Sequence, residues 1–229
     1  MEAASALMSL RTAVAALEAA AAREDWDSVG EQLARQHRFL QHWLPGCTTL
    51  EAEARAGLND ILDRYLRLTA ELEAARERAR LAETGAALVH CPTSNTFIGS
   101  GLFDMAARLE DSHRIGLATD TGGGSSFSML RTMAAAYEIG QLSGTALHPA
   151  QLWWLATAGS ADALHLSDRI GTIAPGMEAD LVAINLASTP AIAQRRAMAS
   201  DIWEAIFPTI MMADDRAIAQ VWVTGTPQS

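Results

Sequence analysis

Two short stretches concentrate the side chains that could do chemistry. In ALVHCPTSN, residues 87–95, an apolar segment delivers His90, Cys91, Ser94 and Asn95. In RIGLATDTGGG, residues 114–124, a second apolar segment delivers Asp120 ahead of Gly122, Gly123 and Gly124. Polar groups at the C-terminal ends of successive strands are how an α/β barrel builds its site. Asp120 is a hard ligand for a divalent metal and could take a proton from metal-bound water. The glycines let backbone approach a ligand closely. An aspartate ahead of a glycine run also serves as a turn cap, and spacing alone leaves both readings open. The run is no phosphate loop, because the GK[ST] element is missing. His90 either faces a ligand or hydrogen-bonds a loop backbone. Cys91 follows it directly, and adjacent strand residues point to opposite faces, which disfavours a Cys–His nucleophile. His113, His148 and His165 have no partner at ligand spacing and read as surface or packing residues. His37 and His42 stand about 140° apart at about 100° per helical residue, a poor metal pair. Trp153-Trp154 reads as core.

Composition narrows the chemistry further. The chain has 229 residues, 49% of them hydrophobic, and a net charge of −10. An acidic balance disfavours nucleic acid, since phosphate binding needs a basic face. All 17 basic residues are arginine, so Schiff-base lysines, P-loop lysines and carbamylated-lysine metal bridges are excluded. Cys47 and Cys91 are too few for a disulfide framework and fit no zinc spacing. No apolar run reaches the roughly 18 residues a membrane span requires. The alanine-rich start carries Glu2, Arg11 and Glu18 and lacks a signal-peptide layout. The expected setting is cytoplasmic, with no membrane partner.

The elements that must position these residues fall into two dissimilar halves. Residues 1–83 read as helix throughout. Leu7, Leu10, Val14, Leu17 and Ala21 step by three and four, one apolar helical face. A second helix starts near Asp25–Ser28, with Ser28 and Glu31 as a capping box, and carries Trp26, Val29, Leu33, Leu40 and Leu44. Pro45-Gly46 ends it, and Thr48 with Glu51 starts a third helix. The third helix has the stripe Leu58, Ile61, Leu62, Tyr65, Leu68 and Leu72. From Thr84 short strands alternate with helices: strand 86–89, helix 101–109, strand 115–118 and helix 126–141, then short helices over 149–158 and 160–166. Strands over 180–186 and 217–223 close the chain. Such alternation predicts a parallel α/β arrangement.

The stretch from ALVHCPTSN to GLATDTGGGSSFSMLRTM, with GSGLF between, resembles the C-terminal part of the guanine deaminases, in the amidohydrolase superfamily. IGTIAPGMEADLVAINL and VWVTG resemble that family's closing β-domain. The likeness covers about 140 residues after Gly85, and TDTGGG followed by SFSML is its most specific piece. The resemblance implies a (β/α)₈ barrel with a small β-sandwich. It also implies one zinc that activates water, and conversion of guanine to xanthine and ammonia. It makes Asp120 the final-strand zinc ligand and proton shuttle, and His90, Ser94 and Asn95 substrate-pocket residues. It implies a homodimer. The family also needs an HxH pair on its first strand, single histidines on its fifth and sixth, and a glutamate near the fifth-strand histidine. No HxH occurs in this chain. One carboxylate does not hold a catalytic zinc, so the chain by itself is expected to be inactive.

Residues 1–83, by contrast, resemble the flagellar export chaperones of the FliT type, in AREDWDSVGEQLARQHRFL and the charged third helix after it. That resemblance implies a helical protein partner, and makes an interaction protein fused to a deaminase remnant the alternative reading. The expected fold is therefore α + α/β. An antiparallel helical hairpin or bundle over 1–83 is joined to the last two strands of a partial amidohydrolase barrel over 84–168. β-sandwich strands over 169–229 complete it.

Overall fold

The structure, a computed structural model, describes residues 2–44, 52–111 and 113–228. The Pro45-Gly46 stop, the Thr48–Glu51 cap and Cys47 lie outside the described residues. The chain divides into two compact units, residues 1–83 and 84–229.

The first unit is built from α1 (Glu2–Ala21), α2 (Trp26–Trp43) and α3 (Ala52–Thr84). Leu7, Leu10, Val14, Leu17 and Ala20 of α1 are buried, with Val29, Leu33 and Leu40 of α2 and Leu58, Ile61, Leu68 and Leu72 of α3. Burying one such side chain stabilises by about 1.5–3 kcal/mol, so this stripe is what holds the three helices together. Ala21, Trp26, Leu62 and Tyr65 pack at its margin, whereas Leu44 is exposed. The start of α2 differs from the expected capping box. Asp25 is the N-cap, its carboxylate accepting from the Ser28 backbone N–H at 3.2 Å, and the Ser28 hydroxyl instead accepts from the Gln32 amide at 2.9 Å. Aspartate wins because it sits before the first helical residue, where an acceptor meets unpaired N–H groups. His37 and His42 each bind their own helix, the first to the Gln41 side chain at 2.9 Å and the second to the Arg38 carbonyl at 2.8 Å.

The second unit begins with β1 (Leu88–His90), α4 (Pro92–Ile98), α5 (Met105–Glu110) and β2 (Ile115–Leu117). After them come α6 (Met129–Leu142), α7 (Pro149–Ala156) and α8 (Ala158–Ala163). β1 and β2 pair in parallel, Leu88 opposite Ile115 and His90 opposite Leu117. α8 lies so close to β2 that a Cβ at Gly116 would stand 2.8 Å from the Ser160 hydroxyl and 3.0 Å from its Cα. That hydroxyl accepts from the Leu117 N–H at 3.1 Å, satisfying a strand group that a neighbouring strand would otherwise take. The core behind the strands holds Met105, Ile115, Leu117, Leu130, Met133, Leu152, Leu155 and Ile210.

The remainder is α9 (Pro190–Ala197), α10 (Ile202–Met212) and an antiparallel sheet. The sheet runs β3 (Leu181–Ile184), β4 (Ile218–Val223) and β5 (Thr226–Gln228), in that order, with a register shift between Ala183 and Ile184. Thr224 (φ 48°) and Gly225 (φ 78°) make the two-residue turn from β4 to β5, both left-handed as a type I′ hairpin demands. α9, α10 and β5 were not anticipated from sequence. Thr189 and Asp201 cap the two helices, and Pro208 inside α10 is the residue that conceals it. Among the described residues no helix is long and apolar enough to cross a membrane.

Candidate active site

Because β1 and β2 run parallel and in register, their C-terminal ends deliver both polar stretches to the same edge. The Ala118 N–H donates to the His90 carbonyl at 3.1 Å, the last tie before the chains part. CPTSN leads from β1 straight into a helix. Pro92 opens α4 at its first position, where a missing N–H costs nothing, and Gly99 closes it with φ 73°. Thr93 and Ser94 thereby fall in the first turn and are buried. The Ser94 hydroxyl donates to Oδ2 of Asp120 at 2.6 Å, the length of a charge-assisted bond. The structure thus joins two residues that sequence reading placed in separate motifs.

Asp120 itself is exposed and has φ 49°, a left-handed backbone that aspartate tolerates at modest cost. Its carbonyl accepts from the N–H groups of Gly123 (2.9 Å) and Gly124 (2.6 Å). The glycines are needed for closeness. A Cβ at Gly123 would stand 2.9 Å from Asp120 Oδ2 and 3.0 Å from Ser94 Oγ, and one at Gly124 would run into the Thr119 carbonyl. The turn therefore wraps over the Ser94–Asp120 pair and leaves Oδ1 of Asp120 without a hydrogen bond from any described residue.

His90 is 2% exposed, and its ring stacks on Phe103 with centroids 4.7 Å apart and 20° between planes. Burial pushes its pKa down to about 4, so the imidazole is neutral at pH 7. Its Nδ1 is buried without a hydrogen-bond partner among the described residues, as is the Thr93 hydroxyl. Asn95 is half-buried one residue beyond Ser94 in α4. Cys91 is held as a thiol, its pKa raised by burial and then by the Asp120 charge. Sequence reasoning missed Thr93 and Phe103. The GSGLF segment carries the signal for Phe103, but nothing in it shows that the ring covers His90.

Zinc is the group the resemblance implies. Asp120 offers one oxygen, and among the described residues no three histidine, cysteine or acidic side chains cluster as metal ligands. Catalytic zinc takes three protein ligands, so these residues alone do not fit it.

Residues 33–227 match the model of the amidohydrolase family. The chain belongs to that family. Among the relatives of this amidohydrolase chain is the guanine deaminase of Escherichia coli, 37% identical over 150 residues that cover 66% of this chain and 34% of that protein. The solved structure of E. coli guanine deaminase superposes with a TM-score of 0.65 at 36% identity, over 67% of this chain and 36% of that one. An adenosine deaminase from Xanthomonas campestris, solved with bound zinc, gives a TM-score of 0.56 at 28% identity. It covers 73% of this chain and 39% of that one. The amidohydrolase chain spans about a third of the length of the curated relatives it matches. The family match begins at residue 33, inside α2 and well before the Gly85 at which the motif resemblance starts.

Proposed function

We propose that this amidohydrolase chain carries the Asp120 portion of a guanine deaminase site, for hydrolytic deamination of guanine to xanthine and ammonia. The observation that carries the reading is the Ser94–Asp120 hydrogen bond at 2.6 Å. It fastens the HCPTSN and TDTGGG motifs together at the ends of adjacent parallel strands. The names of the relatives supply the substrate. In this reading β1 and β2 are the last two strands of the family barrel, and β3–β5 belong to its β-domain. Residues 1–83 form a separate helical domain, 84–168 the barrel portion and 169–229 the β portion.

Hydrolytic deamination adds water to the amino-bearing ring carbon and expels ammonia, so a proton must leave the water and reach the departing nitrogen. A positioned carboxylate does this work. Asp120 Oδ1 is open to take and return the proton while Ser94 holds Oδ2 in place. The neutral His90 ring and Asn95 shape the purine pocket. The described residues do not supply the remaining zinc ligands, and we propose that the chain is inactive by itself.

Isothermal titration with zinc and an ammonia assay with guanine test the second point. The expected result is no tight zinc site and no ammonia, and one bound zinc with turnover would overturn it. Complementation tests the first. Mixed with a polypeptide carrying the other two-thirds of E. coli guanine deaminase, the chain should release ammonia from guanine, and Asp120→Asn should abolish the release. Equal activity with Asp120→Asn would remove Asp120 from the reaction.

A further inference from the structure

A concavity of about 620 Å³ lies between the C-terminal half of α6, the start of α7, the end of α9 and the first turns of α10. It shares no lining residue with the Asp120 site, and its volume is that of a small-ligand pocket. Four aromatic rings contribute to its walls, in two contacting pairs. Tyr137 meets Phe207 edge-to-face at 5.0 Å, and His148 meets Trp203 edge-to-face at 5.9 Å. Both are arrangements that aromatic pairs prefer.

The charges around these walls are not equivalent. Arg195, in the last turn of α9, is exposed and forms no ion pair among the described residues. The two acids of the groove are engaged at the start of α10. Asp201 Oδ1 accepts from the N–H groups of Trp203 and Glu204 at 2.8 and 2.9 Å. Glu204 Oε2 accepts from the Ser200 N–H and hydroxyl, both at 2.8 Å. The helix dipole offsets part of their charge there. Each acid thus has one oxygen held by its own helix start, whereas the Arg195 guanidinium, which lines the same groove as Trp203 and Phe207, forms no ion pair among the described residues.

We propose that this groove binds a small planar aromatic carboxylate, its ring against Trp203 and Phe207 and its charge on Arg195. A guanidinium matches a carboxylate through paired N–H donors. Asp201 and Glu204 repel a second negative charge, which selects a monoanion over a phosphate ester. The site is separate from any deamination at Asp120.

Titration of the full chain with indole-3-carboxylate, followed calorimetrically, tests the assignment. Saturable one-to-one binding is expected, with indole-3-carboxamide weaker by roughly tenfold for the lost ion pair. Arg195→Gln should weaken the carboxylate roughly tenfold and leave the carboxamide unchanged. Arg195 is exposed, so an unaltered far-UV circular dichroism spectrum is the control for folding. No saturation below about 10 mM would overturn the proposal. So would equal affinity for acid and amide, or affinity that falls as protein concentration rises because a second copy covers the groove.

Discussion

At the scale of single residues, the site is a short hydrogen bond under a tight turn. Ser94 is 1% exposed, and its hydroxyl is spent on Asp120. Ser94→Ala removes a hydrogen bond to a charged group, and because Asp120 is exposed the loss is expected near the lower end, about 1–2 kcal/mol in urea denaturation. An unchanged midpoint would mean that the pair does not form in solution. His90 gives a pH signature. Its folded pKa, about 4, lies below the unfolded value of about 6.5, so the unfolded chain binds more protons between these values. Stability is then whole above about pH 6.5 and falls as pH drops toward 4, by up to about 1.4 kcal/mol per pH unit. His90→Asn should flatten that slope, and an identical slope in the variant would assign it to other groups. Asp120, Ser94 and His90 could each be picked out of the sequence as polar residues at strand ends. Their separate fates could not, because Ser94 owes its position to the helix that Pro92 starts, and His90 its burial to Phe103, thirteen residues away.

The same contrast holds for secondary-structure elements. The apolar stripes of α1, α2 and α3 were legible because each helix buries one face, and a 3.6-residue period records that directly. β1 and β2 were legible as apolar runs, but each is only three residues long, so their ends shifted by one or two. α4 was hidden in HCPTSN because seven residues are too few to show a period, and α10 because its proline breaks the pattern. The contact between α8 and β2 leaves no mark in the sequence beyond a glycine and a serine 44 positions apart. Gly116 has room only for hydrogen opposite Ser160, whose Cα is backbone and cannot swing aside. Gly116→Ala is therefore expected to destabilise the second unit by about 1–3 kcal/mol through overpacking. Ser160→Gly in the same background leaves that Cα in place and should recover only part of the loss. Full recovery would show that the hydroxyl, and not the helix backbone, sets the spacing.

For the whole molecule, the organising fact is that the two buried clusters share no residue. One runs from Leu7 to Leu72 and the other from Met105 to Ala217. Cooperative unfolding follows a shared core, so two cores predict two transitions. Leu17 is fully buried in the first and Leu152 in the second. Truncating either leaves a cavity, which costs about 2–5 kcal/mol. In urea denaturation followed by far-UV circular dichroism, Leu17→Ala should shift only the transition of the helical unit, and Leu152→Ala only the other. Residues 1–83 expressed alone should melt cooperatively at the midpoint of the first transition, because among the described residues their buried cluster is drawn from α1, α2 and α3 alone. If either substitution moves both transitions together, the units unfold as one, and the helices at the start of the chain must then be treated as part of the same cooperative structure that holds Asp120 in place.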